Sequence, residues 1–365
     1  MTAAPPMIWV LLGRRTGDNS QMLTLAQASG LPFLARQMVF NAASALPNFL
    51  LGPSRASLTS ASRAGLGPPW PAAVITSGRR SVPAALWIKK QSGGTTKLIH
   101  IGRPWAPLSW FDLIVTTSQY VLPDAPNVLT HLLPMTQPVA AEPLAPAPWL
   151  DALPRPLTGV VIGGNSRPLI LDAGTAENLL HHAAGLAGRE DGSLAVVTSP
   201  RTPPEVTKRL ADVLAGCSAP HVLVQWRQEP PDGYRQILAR ADRLIVTGDS
   251  ANMSAEAALS GHPVEIFPLD FRPDLRWRIV SGAGRLIGQK ARQRLIGLGL
   301  LLSVREMRLY NQRLKEAGLL AGNGAAAARA EQELDAAVAR LRHLLEGAPA
   351  CPAISGDVSQ QGRDG

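Results

Sequence analysis

Short runs of Val, Ile, Leu and Ala recur along the chain and alternate with stretches in which apolar residues return every three or four positions. Continuous apolar runs predict parallel strands covered on both faces, and the intervening periodic stretches predict the covering helices. In the first half the expected strands are Ile8–Leu12, Ala73–Thr76, Lys97–Ile101, Leu113–Thr116 and Asn127–His131, with helices over Ser20–Ala28 and Val82–Gln91. Residues Ala42–Pro71 are rich in proline, glycine and serine and are expected to be irregular. A second series runs Thr158–Ile162, helix Ala176–Leu186, Ser193–Thr198, helix Pro204–Ala215 and His221–Gln225. It continues with helix Tyr234–Ala239, Arg243–Thr247, helix Ala251–Ser260 and Pro263–Phe267, and the chain then reaches an Ala-rich helix over Ala325–Leu345.

Between the two series, Gln137–Pro156 holds six prolines in twenty positions and is expected to be an extended linker rather than a core element. The expected division is a first domain over 1–140, a linker over 141–157, a second domain over 158–324, a terminal helix over 325–347 and a disordered tail over 348–365. The expected class is α/β: two Rossmann-like, doubly wound parallel-sheet domains facing across a cleft, with the ligand at the carboxyl ends of their strands.

Composition fits a folded body of 365 residues, 45% hydrophobic and 17% charged. Cys217 and Cys351 lie far apart without a CxxC spacing, and the histidines show no ligand spacing, so neither a disulfide framework nor a metal site is expected. The apolar start Met7–Leu12 is too short for a signal peptide, and Leu295–Val304 is too short to cross a bilayer. These features point to a reducing, cytoplasmic location. Charge adds a further constraint. Of the net +9, all belongs to residues 1–120, where eleven Lys and Arg face only Asp18 and Asp112; residues 271–315 again hold eleven cations against Asp274 and Glu306. Such a surface can meet nucleic acid, an anionic membrane or an anionic small molecule, and charge alone does not choose among them.

The strongest chemical signal is the strand–turn–helix from Ala241 to Leu269. Asp249 or Ser250 can cap the helix, leaving backbone N–H groups and the positive end of the helix dipole at a strand end. Glu256, about two turns in, can accept hydrogen bonds from ribose hydroxyls while phosphates occupy the helix start. A capped helix with a solvated glutamate is the plainer alternative. A second strand ends in Gly163-Gly164-Asn165-Ser166, where glycines permit close approach of a pyrophosphate or positive φ, or simply make a tight turn. A third ends at Ser199, Arg201 and Thr202, an arginine able to pair with phosphate. In the first half, Gly17 permits a turn, Asp18 and Asn19 can cap a helix, and Asp18 is a candidate general base. Gly78 and Arg79 end another strand and can meet an anionic acceptor.

At these residues the chain resembles the Elm-type mitochondrial fission protein family, whose bacterial members are regarded as GT-B glycosyltransferases. The resemblance spans about Ile8 to Leu345. It is carried by Gly17-Asp18-Asn19-x-Gln21, Trp70-Pro71, Ser77-Gly78-Arg79-Arg80, Asn127-Val128, Ile162-Gly163-Gly164-Asn165, Ser199 with Arg201-Thr202, and Thr247-x-Asp249-Ser250-x-x-Met253-Ser254-x-Glu256. The Glu256 segment is also similar to the donor domain of the transferase that adds N-acetylglucosamine to the lipid-linked peptidoglycan precursor. There a glutamate precedes Gly-x-Pro, here Gly261 and Pro263, and the similarity implies ribose binding by Glu256. Two departures stand out: Pro200 replaces the first of two arginines common in the family, and Asp232-Gly233-Tyr234 replaces an Asn-Pro-Tyr.

Together these readings predict a metal-independent GT-B glycosyltransferase without a cofactor. Its donor, a nucleotide-diphosphate sugar, would be held by Gly163, Gly164, Asn165, Ser199, Arg201, Thr202, Asp249, Ser250, Met253 and Glu256. Asp18 would serve as base, and Gly17, Asn19, Gln21, Gly78 and Arg79 would line the acceptor or phosphate side. No nucleic-acid partner is expected. The acceptor would be anionic or lipid-linked, at the inner face of a membrane. The alternatives are a non-catalytic adaptor of the membrane-fission type and a nucleotide-sugar epimerase of the same fold.

Overall fold

The computed structural model describes residues 6–136, 144–226, 232–275, 277–278, 282, 287–301, 303 and 305–346. The chain forms two compact units: the first takes residues up to His131, Ile287–Ser303 and the chain from Gln332, and the second takes Leu132–Leu286 and Val304–Glu331. The expected tail over 348–365 and residues 137–143 of the expected linker lie outside the described residues.

The first unit is built on six parallel strands: β1 Ile8–Leu12, β2 Phe33–Gln37, β3 Ala73–Ser77, β4 Lys97–Ile101, β5 Leu113–Thr117 and β6 Val128–His131. Their order across the sheet is β2-β1-β3-β4-β5-β6. β1, β3 and β5 are buried on both faces, so their sequences open as apolar runs, Ile8–Leu12, Ala73–Ile75 and Leu113–Val115. Helices Thr16–Ala28 and Gly78–Gln91 are among those that cover the sheet, and Trp9, Leu11, Val74, Val82, Ile88, Leu98 and Ile114 pack between the layers. Trp70 lies against both Trp9 and Trp87, at ring-centroid distances of 6.1 and 5.5 Å. Within Ala42–Pro71 only short helical turns form, at Ala42–Ala45, Asn48–Leu51 and Ser60–Ala64.

The second unit carries β7 Leu157–Ile162, β8 Leu169–Ile170, β9 Ser193–Thr198, β10 His221–Val224, β11 Arg243–Thr247, β12 Val264–Phe267 and β13 Asp270–Phe271. Five of them make a parallel sheet in the order β10-β9-β7-β11-β12, while β8 and β13 form a separate antiparallel pair. All six residues of β7 and of β9 are buried, beneath helices that include Ala173–Arg189 and Pro204–Ala215. Asp172 starts the first of these helices, its Oδ1 accepting from the Thr175 N–H at 2.9 Å and the Thr175 hydroxyl at 2.8 Å.

Each sheet reverses its winding once. From β7 the chain moves outward through β9 to β10, then returns to the other side of β7 to lay down β11 and β12. In the first sheet the reversal falls between β1 and β3. Loops leaving the carboxyl ends of strands at such a reversal diverge to opposite faces and leave a crevice, the usual ligand position in open α/β sheets.

The proline-rich junction departs from the extended spacer expected of it. Ala147 and Leu150 are fully buried in the second unit, and Pro148 opens the helical turn Pro148–Asp151. Proline at a first helical position sacrifices an N–H that would have no partner anyway, so it starts this turn rather than extending the chain. Trp149 fixes the turn by donating from Nε1 to the Gln236 side chain at 3.1 Å.

Candidate functional site

The loops after β7, β9 and β11 meet at the reversal point of the second sheet. Gly163 donates its N–H to the Thr247 hydroxyl at 2.8 Å, and Thr247 donates onward to Asp249 Oδ1 at 2.7 Å. Asp249 Oδ2 accepts from the Gly164 N–H at 3.1 Å and from Arg201 Nη1 at 2.7 Å. Ser199 and Thr202 both donate to the Gly163 carbonyl, at 2.9 and 2.5 Å. Thr247 and Asp249 are completely buried, whereas the Arg201 side chain is 39% exposed. Gly163, Gly164, Ser199, Arg201, Thr202 and Asp249 are thus brought together as the sequence anticipates.

Their roles differ from those expected. Asp249 does not cap the following helix; it turns back to hold the glycine loop and Arg201. The two glycines do not adopt positive φ. A Cβ on Gly163 would stand 2.1 Å from Asp249 Oδ1, and one on Gly164 would stand 2.0 Å from the Arg201 carbonyl oxygen. Their lack of a side chain therefore admits the protein's own carboxylate and main chain. Asn165 is exposed, and its Oδ1 accepts from the Leu171 N–H at 2.8 Å, which ties down its own loop.

The helix Ala251–Leu259 springs from this junction. Ser250 occupies its N-cap position in an extended conformation, φ −134° and ψ 116°, without a side-chain capping bond. Its hydroxyl therefore does not screen the donor end of the helix. Met253 is buried on the first turn, with its sulfur 3.6 Å from Arg201 Nη2. Glu256 follows one turn on and accepts from the Tyr234 hydroxyl. Burial pushes the Glu256 carboxyl above the ordinary range, an effect partly offset by the Tyr234 bond. Burial, and then the Glu256 charge, push the Tyr234 phenol well above its own. Among the described residues no other side chain donates to Glu256. Tyr234 thus reaches the glutamate although the two residues before it depart from the family's usual pair. Asn311, which sequence reasoning missed, donates to the Gly248 carbonyl at 3.0 Å and braces the same turn from helix Met307–Glu316.

The candidates of the first half gather at the reversal between β1 and β3. The helix starts at Thr16, earlier than expected, so Asp18 and Asn19 lie in its first turn rather than capping it; Arg15 holds the N-cap position without a side-chain bond. Asn19 instead closes the preceding loop, accepting from the Gly13 N–H at 2.8 Å and donating to the Gly13 carbonyl at 3.0 Å. Asp18 lies 4.0 Å from Arg15. Gln21 is buried and donates to the Gly17 carbonyl at 3.2 Å. Gly78 opens its helix at φ +71°, a conformation glycine adopts without strain. Arg79 points to its own chain, donating to the carbonyls of Ser44 and Leu46, each at 2.7 Å. Beside them sequence reasoning overlooked His100, fully buried between the carbonyls of Gly78 and Gly102, whose pKa burial lowers to about 4.

Among the described residues no three His, Cys, Asp or Glu side chains converge as a metal-binding group, and no helix is long and apolar enough to cross a membrane.

Similar proteins place the chain more broadly. It is 25% identical over 237 residues to the Mitochondrial fission protein ELM1 of Arabidopsis thaliana, a match covering 58% of this chain and 54% of that protein. The chain therefore spans about half the length of the plant relative. It is 24% identical over 298 residues to Uncharacterized protein RP120 of Rickettsia prowazekii (strain Madrid E), covering 71% of this chain and 82% of the relative. Among solved structures, UDP-N-acetylglucosamine 2-epimerase from Rickettsia bellii is similar with a TM-score of 0.47 at 12% identity, over 94% of this chain and 98% of that one. MurG from Acinetobacter baumannii is similar with a TM-score of 0.42 at 12% identity, over 94% and 100%. Likenesses of this strength say nothing of activity or ligand. Residues 16–323 match the family described as Mitochondrial fission ELM1. That match takes in both sets of candidate residues, and the chain belongs to this family.

Proposed function

We propose that the chain is a GT-B-like glycosyltransferase that takes a nucleotide-diphosphate sugar on its second unit. The carrying observation is Glu256: a half-buried carboxylate, fixed by Tyr234, on a helix whose first turn has no side-chain cap. Partial burial with a single side-chain donor leaves a carboxylate with acceptor capacity to spare, which a ligand that donates to it would use. A ribose supplies two adjacent hydroxyls. The diphosphate then lies toward Ser250 and Arg201, whose guanidinium keeps N–H groups beyond those engaged by Asp249 and Met253.

In the transfer, an acceptor hydroxyl attacks the anomeric carbon as the bond from that carbon to the diphosphate oxygen breaks. The electron pair leaves with the nucleotide diphosphate, where the helix start and Arg201 stabilise it, so the step is written without a metal. Asp18 of the first unit, whose carboxylate is partly exposed, is the candidate base for the acceptor's proton. The acceptor is anionic or membrane-borne, and the protein works at the inner, cytoplasmic face of a membrane.

A second reading, a non-catalytic adaptor, is favoured by one observation: Asp249 already fills the space beside the glycine loop that a phosphate would enter. Calorimetry against UDP, GDP, ADP, CMP and their sugars, repeated with Glu256→Ala, separates the two. Binding lost in the variant supports the donor site. Binding that survives the substitution overturns the site, and no binding by any nucleotide leaves the adaptor.

A further inference from the structure

The irregular span between β2 and β3 exposes side chains that folding ordinarily covers. Phe49 is 76% exposed, Leu50 64% and Leu46 47%. The helical turn Asn48–Leu51 is inverted: its polar Asn48 is buried, while Phe49 and Leu50 face water. Single exposed apolar residues are unremarkable, but three at one loop tip make a patch that requires a partner.

The surrounding charge identifies that partner. Arg79 donates to the Ser44 and Leu46 carbonyls at the base of the tip. Arg63 donates to the carbonyls of Leu58 and Ala56, and Arg55 donates to the Arg63 carbonyl while lying over the Trp87 ring. All three cations are held by neutral oxygens, which fix their position without cancelling their charge. No Asp or Glu occurs anywhere from Asn19 to Phe111. An apolar tip set in uncompensated arginine is complementary to an anionic bilayer, which offers phosphate at its surface and hydrocarbon a few ångströms beneath. A protein partner would need only the apolar surface.

We propose that Leu46, Phe49 and Leu50 form a membrane-docking tip that enters the interface of an anionic lipid bilayer, with Arg55, Arg63 and Arg79 in the headgroup layer. This deepens the reading of a membrane-borne acceptor and rests on it. The tip is a monotopic anchor of modest strength: each cation near an anionic surface contributes about fivefold in partition, and salt removes most of that.

The test is cosedimentation of the full chain with vesicles of phosphatidylglycerol and phosphatidylcholine, and with pure phosphatidylcholine. The wild type is expected to bind the anionic vesicles, to release in high salt, and to bind the neutral ones poorly. Phe49→Ser with Leu50→Ser is expected to lower anionic binding by roughly tenfold or more while leaving the melting temperature unchanged, since both side chains are already exposed. Phe49→Trp supplies a second readout, a blue shift of emission on adding anionic vesicles. Unchanged binding of the double variant, or no blue shift, overturns the tip. A change of oligomeric state with vesicle binding untouched overturns it in favour of a protein interface. Nucleotide affinity is measured on the same wild-type preparations: nucleotide binding without any binding to anionic vesicles fails the tip alone, and vesicle binding without nucleotide binding fails the donor site alone.

Discussion

Replacing Asp249 with asparagine preserves shape and removes one acceptor from a buried network, so its effect can be worked out bond by bond. Asp249 accepts from Gly164, Thr247 and Arg201. An asparagine can place its carbonyl oxygen at the Oδ2 position and keep Gly164 and Arg201, but its amide then faces Thr247. That hydroxyl already accepts from the Gly163 N–H, and Thr247 is fully buried, so its proton is left without an acceptor. A buried unsatisfied donor costs about 1–3 kcal/mol, and turning a charge-assisted bond to Arg201 into a neutral one adds about 1 kcal/mol, discounted because Arg201 is partly exposed. The expected total is about 3 kcal/mol. For a unit of under two hundred residues this lowers the melting temperature by roughly 6–12 °C. Differential scanning calorimetry, which resolves the two units if they melt separately, should show the drop in the second unit's transition. A variant melting within about 2 °C of the wild type would refute the claim that Asp249 holds the three loops together.

The other predictions concern nearby groups. Gly163→Ala should destabilise strongly alone but far less in an Asp249→Ala background, because the obstructing atoms are that carboxylate; urea melts of the four proteins test this coupling. Gly164→Ala should show no such rescue, its obstacle being the Arg201 main chain. Glu256 has a raised folded pKa, so its contribution to stability is full below the unfolded value near 4.5 and is lost as pH rises through the folded one. Glu256→Gln should therefore gain on the wild type as pH rises toward neutrality, while losing nucleotide binding; a loss of stability at pH 7 would count against its burial being unfavourable. His100 has the opposite sense, with its pKa lowered from 6.5 to about 4. Its contribution is complete above pH 6.5 and declines by about 3 kcal/mol as pH falls to about 4, and its ring resonances should stay at their neutral positions until then. A titration midpoint near 6.5 would show the imidazole to be accessible.

Much of both sheets is legible in the sequence because strands buried on both faces are predominantly apolar, as Val160-Val161-Ile162 and Ile245-Val246 are. β2 escaped notice for the converse reason. As an edge strand it has no fully buried residue, and its short apolar stretch Phe33-Leu34-Ala35 gives way to Arg36 and Gln37 within the strand. The helix at Thr16 begins early because Arg15 stands at its N-cap, a residue that gives no start signal. At the candidate site the positions were readable but the roles of Gly163, Gly164 and Asp249 were not. Local sequence states that a glycine leaves space; only the packing of loops separated by some 85 residues states that Asp249 fills it. Tyr234 and Asn311 act through contacts of the same long-range kind.

That carboxylate has an evolutionary corollary. The turns after β7, β9 and β11 are far apart along the chain, yet the first two each present an atom to the buried Asp249 of the third. Length changes or substitutions in any of the three must be accommodated by the other two, so Gly163, Gly164, Arg201 and Asp249 form a single mutational unit. Grafting one of these turns from a relative should fail where exchanging all three together succeeds.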